Sequence, residues 1–248
     1  MAASCRPVCF YPAAKILPLV SFGNRGIIRL VKEDRIRWLP ILFIMVAAAV
    51  TRIPGLMPQN FSAMYALAFC AGVYFPGRMA WWLPMAIFAG TDLLLNLYYY
   101  VYAGVTDAFD PGKLKYLLGN YAIYLVLILL GRKFSRKASF LSLLGGGIFG
   151  AILFYLVTNT LSWLVDPAYP KNLAGWLQAL TRGTPGYPPT WQFFLNTLAS
   201  GGLFTGLFAG AMKLSEAAES AREKATEEAD EEEAEEPQGE AEPEEAKG

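Results

Sequence analysis

MAWWLPMAIFAGTDLLLNLYYYVY, from Met79 to Tyr102, is the stretch whose reading decides the fold. It is apolar for longer than the roughly 20 residues a helix needs to cross a bilayer, and it carries a single carboxylate, Asp92. Asn96 follows one helical turn later. A charge within a spanning helix is expensive, so Asp92 is a functional hypothesis in its own right.

Outward from this run, further apolar stretches cover Trp38–Ile53, Phe61–Phe75, Tyr116–Leu130, Phe140–Val165 and Trp191–Met212. Residues of hydrophobic type make up 54% of the chain and the mean hydropathy is +0.33, as expected of a polytopic membrane protein. The third, fifth and sixth runs span outright. The first, second and fourth are short, and reach spanning length only by taking in flanks such as Pro54–Met57, Pro76–Arg78 or Lys113–Lys115. The expected fold is therefore all-α, a compact bundle of six transmembrane helices, half of them short. Short or Pro/Gly-interrupted spans are where binding sites of transporters tend to lie.

Lys and Arg near helix ends set the orientation. Residues 1–37 hold Arg6, Lys15, Arg25, Arg29, Lys32, Arg35 and Arg37, and the fourth connection holds Arg132, Lys133, Arg136 and Lys137. Both are expected inside, with both termini cytoplasmic. The formal charge of zero conceals a division at Ser215: 18 basic and 6 acidic residues precede it, and 3 basic and 15 acidic follow it. Three units result: a basic N-terminal segment (1–37), a transmembrane domain (38–213) and an acidic tail (214–248). The tail is expected to be disordered, with a helical extension to about Ala229, serving as a solubilising tail or as an acidic arm for a basic partner. The N-terminal segment shows no h-region with a small-residue cleavage site, so a cleaved signal peptide is not expected.

The chain has no histidine, which removes Ser-His-Asp and Cys-His catalysis and the H-E-x-x-H zinc helix. A G-x-x-x-x-G-K-[ST] loop and a second intramembrane carboxylate are also lacking. Cys5, Cys9 and Cys70 form neither a disulfide framework nor a metal spacing. These features point to a protein that is not an enzyme, needs no cofactor or metal, and has no nucleic-acid partner.

Depth is then estimated at about 1.5 Å per residue. Asp92 lies about 20 Å and Asn96 about 25 Å along the third span, and Asn159 about 28 Å along the fifth, beside Trp163. Asn120 and Asn196 fall within about the first 8 Å of spans that start outside, and Arg52 and Asn60 bracket the outer turn RIPGLMPQN. Arg52, Asn60, Asp92, Asn96, Asn120, Asn159, Trp163 and Asn196 thus form the candidate solute site. The plainer accounts are interhelical hydrogen bonding by each Asn and an Arg52–Asp92 salt bridge. Deeper in, Gly202, Gly206 and Gly210, with Gly145, Gly146, Gly147 and Gly150, make small-residue ridges for close packing or for docking another subunit. Residues 166–190, with a short helix expected at Leu173–Leu180, read either as a lid or, through Trp163, Tyr169, Trp176, Tyr187 and Trp191, as an interfacial aromatic belt.

The stretches PQNF (58–61), ALAFCAGVYF (66–75), LPMAIFAGTDLLLN (83–96), FYLVTNTLSWL (154–164), YPKNLAGW (169–176) and FFLNTL (193–198) resemble a bacterial family of uncharacterised transport-type membrane proteins. That family in turn is similar to the substrate-binding S components of energy-coupling factor transporters. The resemblance, over about residues 52–208, implies a six-helix S-component-like protein of the bacterial inner membrane. It would capture a small-molecule solute from outside, with a coupling membrane subunit and ATPase subunits as partners. A histidine between the family's first prolines is missing here, and Ala47, Ala48 and Ala49 are consecutive instead of forming an Ala-x-x-x-Ala docking pattern. Two other readings compete: a membrane assembly protein whose polar residues satisfy one another, and a stand-alone proton-coupled carrier using Asp92.

Overall fold

The computed structural model describes residues 39–111 and 114–235. These form seven helices: α1 (Leu39–Val50), α2 (Met64–Tyr74), α3 (Met79–Val101), α4 (Leu114–Gly131), α5 (Phe140–Val165), α6 (Leu173–Thr181) and α7 (Thr190–Glu235). Among the described residues there is no strand. The basic segment 1–37 and the end of the acidic tail, 236–248, lie outside the described residues.

Three helices are long and apolar enough to cross a bilayer, namely α3, α5 and the Thr190–Ala229 part of α7, as membrane proteins require. Helices α1 and α2 are shorter than their sequence runs, because the proposed flanks do not extend them. The residue before a proline is driven out of helical geometry. Phe75, before Pro76, is extended with ψ 137° and ends α2, while Ile53–Met57, around Pro54, is a turn. Helix α4 does take in Lys115.

Helix α2, MYALAFCAGVY, has no polar face, and a helix apolar all round must be surrounded. It is: every residue but Gly72 is buried, with α3, α4, α5 and α7 packed about it. At 11 residues it is only about 16 Å long. Its ends are closed from outside the helix. Thr51 Oγ1 accepts from Ala63 N at 3.0 Å at the upper end, and Arg136 Nη2 donates to Tyr74 O at 2.6 Å at the lower end. We call the end bearing residues 51–63 upper and that bearing 132–139 lower.

In the lower half, backbones touch. A Cβ on Gly72 would lie 2.2 Å from Ile128 O, and one on Gly131 would lie 2.1 Å from Phe69 O, so α2 and α4 cross where neither has a side chain. Gly146 faces the Phe69 and Phe134 rings, whose centroids are 5.2 Å apart, and Gly147 faces Thr205. Gly202, Gly206 and Gly210 make a groove on α7 in which Ile148, Leu144 and Phe140 of α5 rest at van der Waals distance. The glycine ridge is used within the chain.

Helix α3 is attached differently. Its buried residues are Ala80, Pro84 and Phe88, a stripe at every fourth position in its lower half. Above Phe88, Leu93 and Leu94 are 60% and 66% exposed.

The acidic segment departs from expectation by staying helical to Glu235. Ala, Glu, Lys and Arg are strong helix formers, and a helix already nucleated by packing elongates into them without a new nucleation step.

Candidate functional site

The site is built around the connection between α1 and α2. Thr51 pins both its ends, with its hydroxyl donating to Ala48 O at 3.1 Å while accepting from Ala63 N. Gly55 (φ 78°) and Asn60 (φ 61°) turn the chain through the left-handed region, which glycine and asparagine tolerate best. Asn60 O then accepts from Tyr65 Oη at 3.1 Å, and Gln59 O from Asn196 Nδ2 at 2.8 Å. The connection is thus held as a cap over the upper end of the bundle. Beneath it lies a cavity of about 550 Å³.

Four of the sequence candidates line this cavity from three chain segments: Arg52 and Asn60 from the α1–α2 connection, Asn120 from α4 and Asn159 from α5. Asn159 Nδ2 donates to Tyr155 O at 2.9 Å, which leaves its carbonyl oxygen unused. The cavity wall also carries Tyr65, Tyr124 and Phe154. These rings touch one another, with centroids 4.6 Å apart for the tilted Tyr65–Phe154 pair and 5.3 Å for the stacked Tyr124–Phe154 pair. Arg52 is the one charged side chain among the described lining residues. The arrangement suits a solute with a flat or apolar part and several hydrogen-bonding atoms.

Asp92 lies behind Arg52, outside that wall. Its Oδ1 accepts from Arg52 Nη2, and its Oδ2 accepts from Tyr121 Oη at 2.8 Å. The two charged side chains are 18% and 14% exposed, and Arg52 Nε is buried with no hydrogen-bond partner. The salt bridge weighed as the plainer account is therefore present, and Asp92 acts on the cavity through Arg52. Asp92 and Asn96 line a neighbouring space of about 470 Å³ between α3 and α4, to which Asn120 also contributes.

Asn196 and Trp163 lie outside all of these walls. Asn196 holds the cap through Gln59, and Trp163 Nε1 donates to Pro170 O at 2.8 Å. Residues 166–190, offered as a lid, are instead fastened beside the cavity. Lys171 Nζ donates to Trp163 O and Asp166 O, Tyr155 Oη to Leu180 O, and Trp176 Nε1 to Thr160 Oγ1 at 2.9 Å. The short helix, α6, starts on an Asn172 cap that accepts from Gly175 N at 2.9 Å. Burial, and after it the Asp166 carboxylate, raises the Tyr169 hydroxyl above its ordinary pKa. The segment that covers the cavity is 51–62.

Sequence reasoning missed the tyrosines. Tyr65, Tyr121 and Tyr124 look like ordinary apolar-run residues, yet a phenol inside a bundle needs a partner for its hydroxyl. The i, i+4 spacing of Asn120 and Tyr124 and the i, i+3 spacing of Tyr121 and Tyr124 are the signal that sets Tyr124 one turn beyond both residues on α4.

A family model described as a family of unknown function, DUF6580, matches residues 32–224. No curated protein and no solved structure matches the chain.

Proposed function

Given that the chain belongs to this family of unknown function, DUF6580, we propose from its own geometry that it is a multi-pass membrane protein which binds a small solute in the cavity beneath the α1–α2 connection and takes part in its uptake. The observation that carries this reading is the convergence of Arg52, Asn60, Asn120 and Asn159 on one space of about 550 Å³. That is within the usual size range of ligand pockets, about 300–1,000 Å³. Scattered amides acting as helix glue have no reason to share a cavity.

In this reading α1, α2 and α4 complete six crossings, the short ones sheltered by the long ones. The basic residues Arg78, Arg132, Lys133, Arg136, Lys137 and Lys213 mark the lower end as cytoplasmic, with both termini there and the cavity opening outward. A bacterial inner membrane fits this topology. Movement of the solute falls to the protein acting as the substrate-binding subunit of a multi-subunit transporter, with a coupling membrane subunit and ATPase subunits supplying energy.

The Arg52–Asp92–Tyr121 network favours a second reading, an assembly protein whose polar groups merely satisfy one another. Thermal-shift screening of the purified protein against vitamins, nucleobases and metal ions separates the two. Solute binding predicts stabilisation by some compound, weakened in Asn120→Ala and Asn159→Ala. A flat response across the panel, with co-purification of unrelated proteins in place of an ATPase pair, would sink it.

A further inference from the structure

The polar cavity does not end at Arg52. Beyond this residue lies a cleft of about 310 Å³ between α1 and the upper half of α3. Arg52, Ile53, Pro54 and Leu95 belong to both walls, so the two spaces adjoin at these residues. The rest of the cleft is Ala49 and Val50 on one side and Thr91, Leu94 and Tyr98 on the other. The Thr91 hydroxyl is turned back on its own helix, 2.7 Å from Ile87 O and 3.1 Å from Phe88 O. Its donor is used up there. The cleft is thus nearly all carbon apart from its Arg52 end, where a polar group without partners would be costly.

Arg52 is held from the far side. Asp92 takes Nη2, and Tyr121 shares the charge of that carboxylate, while Nε remains buried without a partner. A guanidinium fixed in this way offers its remaining N–H groups to a second acceptor, and no acidic side chain among the described residues of the cavity wall competes for them. One molecule meets both spaces: an acceptor-rich head in the polar cavity, and an apolar body in the cleft.

We propose that the solute is a single-chain amphiphile with an anionic head. Its head is bound by Arg52 with Asn60, Asn120 and Asn159, and its chain lies between α1 and α3. This rests on the cavity being a solute site and narrows what enters it. A cleft of about 310 Å³ takes one chain. The space on the other face of α3 has Asp92, Asn96 and Asp110 in its wall, a poor bed for a second.

The full-length protein in phosphatidylcholine nanodiscs, titrated with n-alkyl carboxylates from acetate to decanoate, tests this by thermal shift, with alkyl alcohols and alkyltrimethylammonium ions of equal length as controls. Apparent affinity should rise at least tenfold from butanoate to decanoate, and carboxylates should exceed both controls. Ala49→Trp, or Leu94→Trp from the opposite wall if the first does not fold, should abolish the chain-length dependence while short carboxylates still bind. Val126→Trp, on the exposed face of α4, should change neither. The double variant Arg52→Gln/Asp92→Asn should lose the preference for carboxylate over alcohol. Affinity independent of chain length overturns the proposal. So does a dependence that survives both cleft-filling variants, which would mean partition into the bilayer, or equal stabilisation by the two-chain lipid phosphatidylglycerol. If short polar solutes bind through Asn159 and chain length is irrelevant, this inference fails and the solute site stands; if no compound of any kind stabilises the protein, both fall.

Discussion

The lower and upper halves of this bundle solve opposite problems. Below, α2 and α4 meet backbone to backbone at Gly72 and Gly131, and α5 rests in a glycine groove on α7. Above, α3 stands apart from its neighbours with a space on either flank, joined to the α1–α2 connection and to α4 by the Arg52–Asp92–Tyr121 chain. Close approach of backbones maximises dispersion contacts where the hydrophobic effect gives helices in lipid no net attraction. Polar side chains above hold helices at a distance and leave room between them. Close packing concentrates in one half and open space in the other.

The sharpest way to break this contrast is to add a side chain at the lower crossing. Gly72→Leu should cost at least about 3 kcal/mol, because the obstacle is backbone that cannot rotate aside. Gly55→Ala in the upper turn meets nothing within 4 Å, and its left-handed φ limits the loss to about 1–2 kcal/mol. SDS-unfolding midpoints compare the pair, and equal losses would erase the distinction between the halves.

Next in size is the ion pair. Asp92→Ala leaves Arg52 without its counter-charge and should lower stability by about 3 kcal/mol. Arg52→Gln/Asp92→Asn should recover at least half of that, which a double-mutant cycle reads directly. Arg136→Ala uncaps the lower end of α2 and should cost about 1.5 kcal/mol, the range for a hydrogen bond from a charged donor. Asn159→Ala should barely move the unfolding midpoint yet weaken solute binding about tenfold, one lost hydrogen bond's worth. Smallest is removal of everything after Ser215: helical circular dichroism should fall while bundle stability stays within about 0.5 kcal/mol.

Much of this architecture is legible in the chain. The division into three long and three short apolar helices follows from run length, and the α6 helix from its Asn172 cap and apolar spacing. The glycine ridge on α7 is visible at its four-residue interval. The site is only half legible. Arg52, Asn60, Asn120 and Asn159 converge, but Asn196 fastens the cap, Trp163 fastens the neighbouring loop, and Asp92 stands one layer behind the wall. Depth along a helix orders these groups along the chain axis, yet it says nothing of which way a helix is rotated.

What the sequence by itself determined is what each segment carries locally: helical lengths from hydropathy, breaks from proline, and an acidic extension from the high helix propensity of Ala and Glu. Tertiary structure alone decided which side chains share a space, since Arg52 meets Asp92 across 40 positions and Gly72 meets Gly131 only once two helices have crossed. Those pairings depend on the rotation and tilt of whole helices, set by the packing of many side chains at once, and no single segment encodes them.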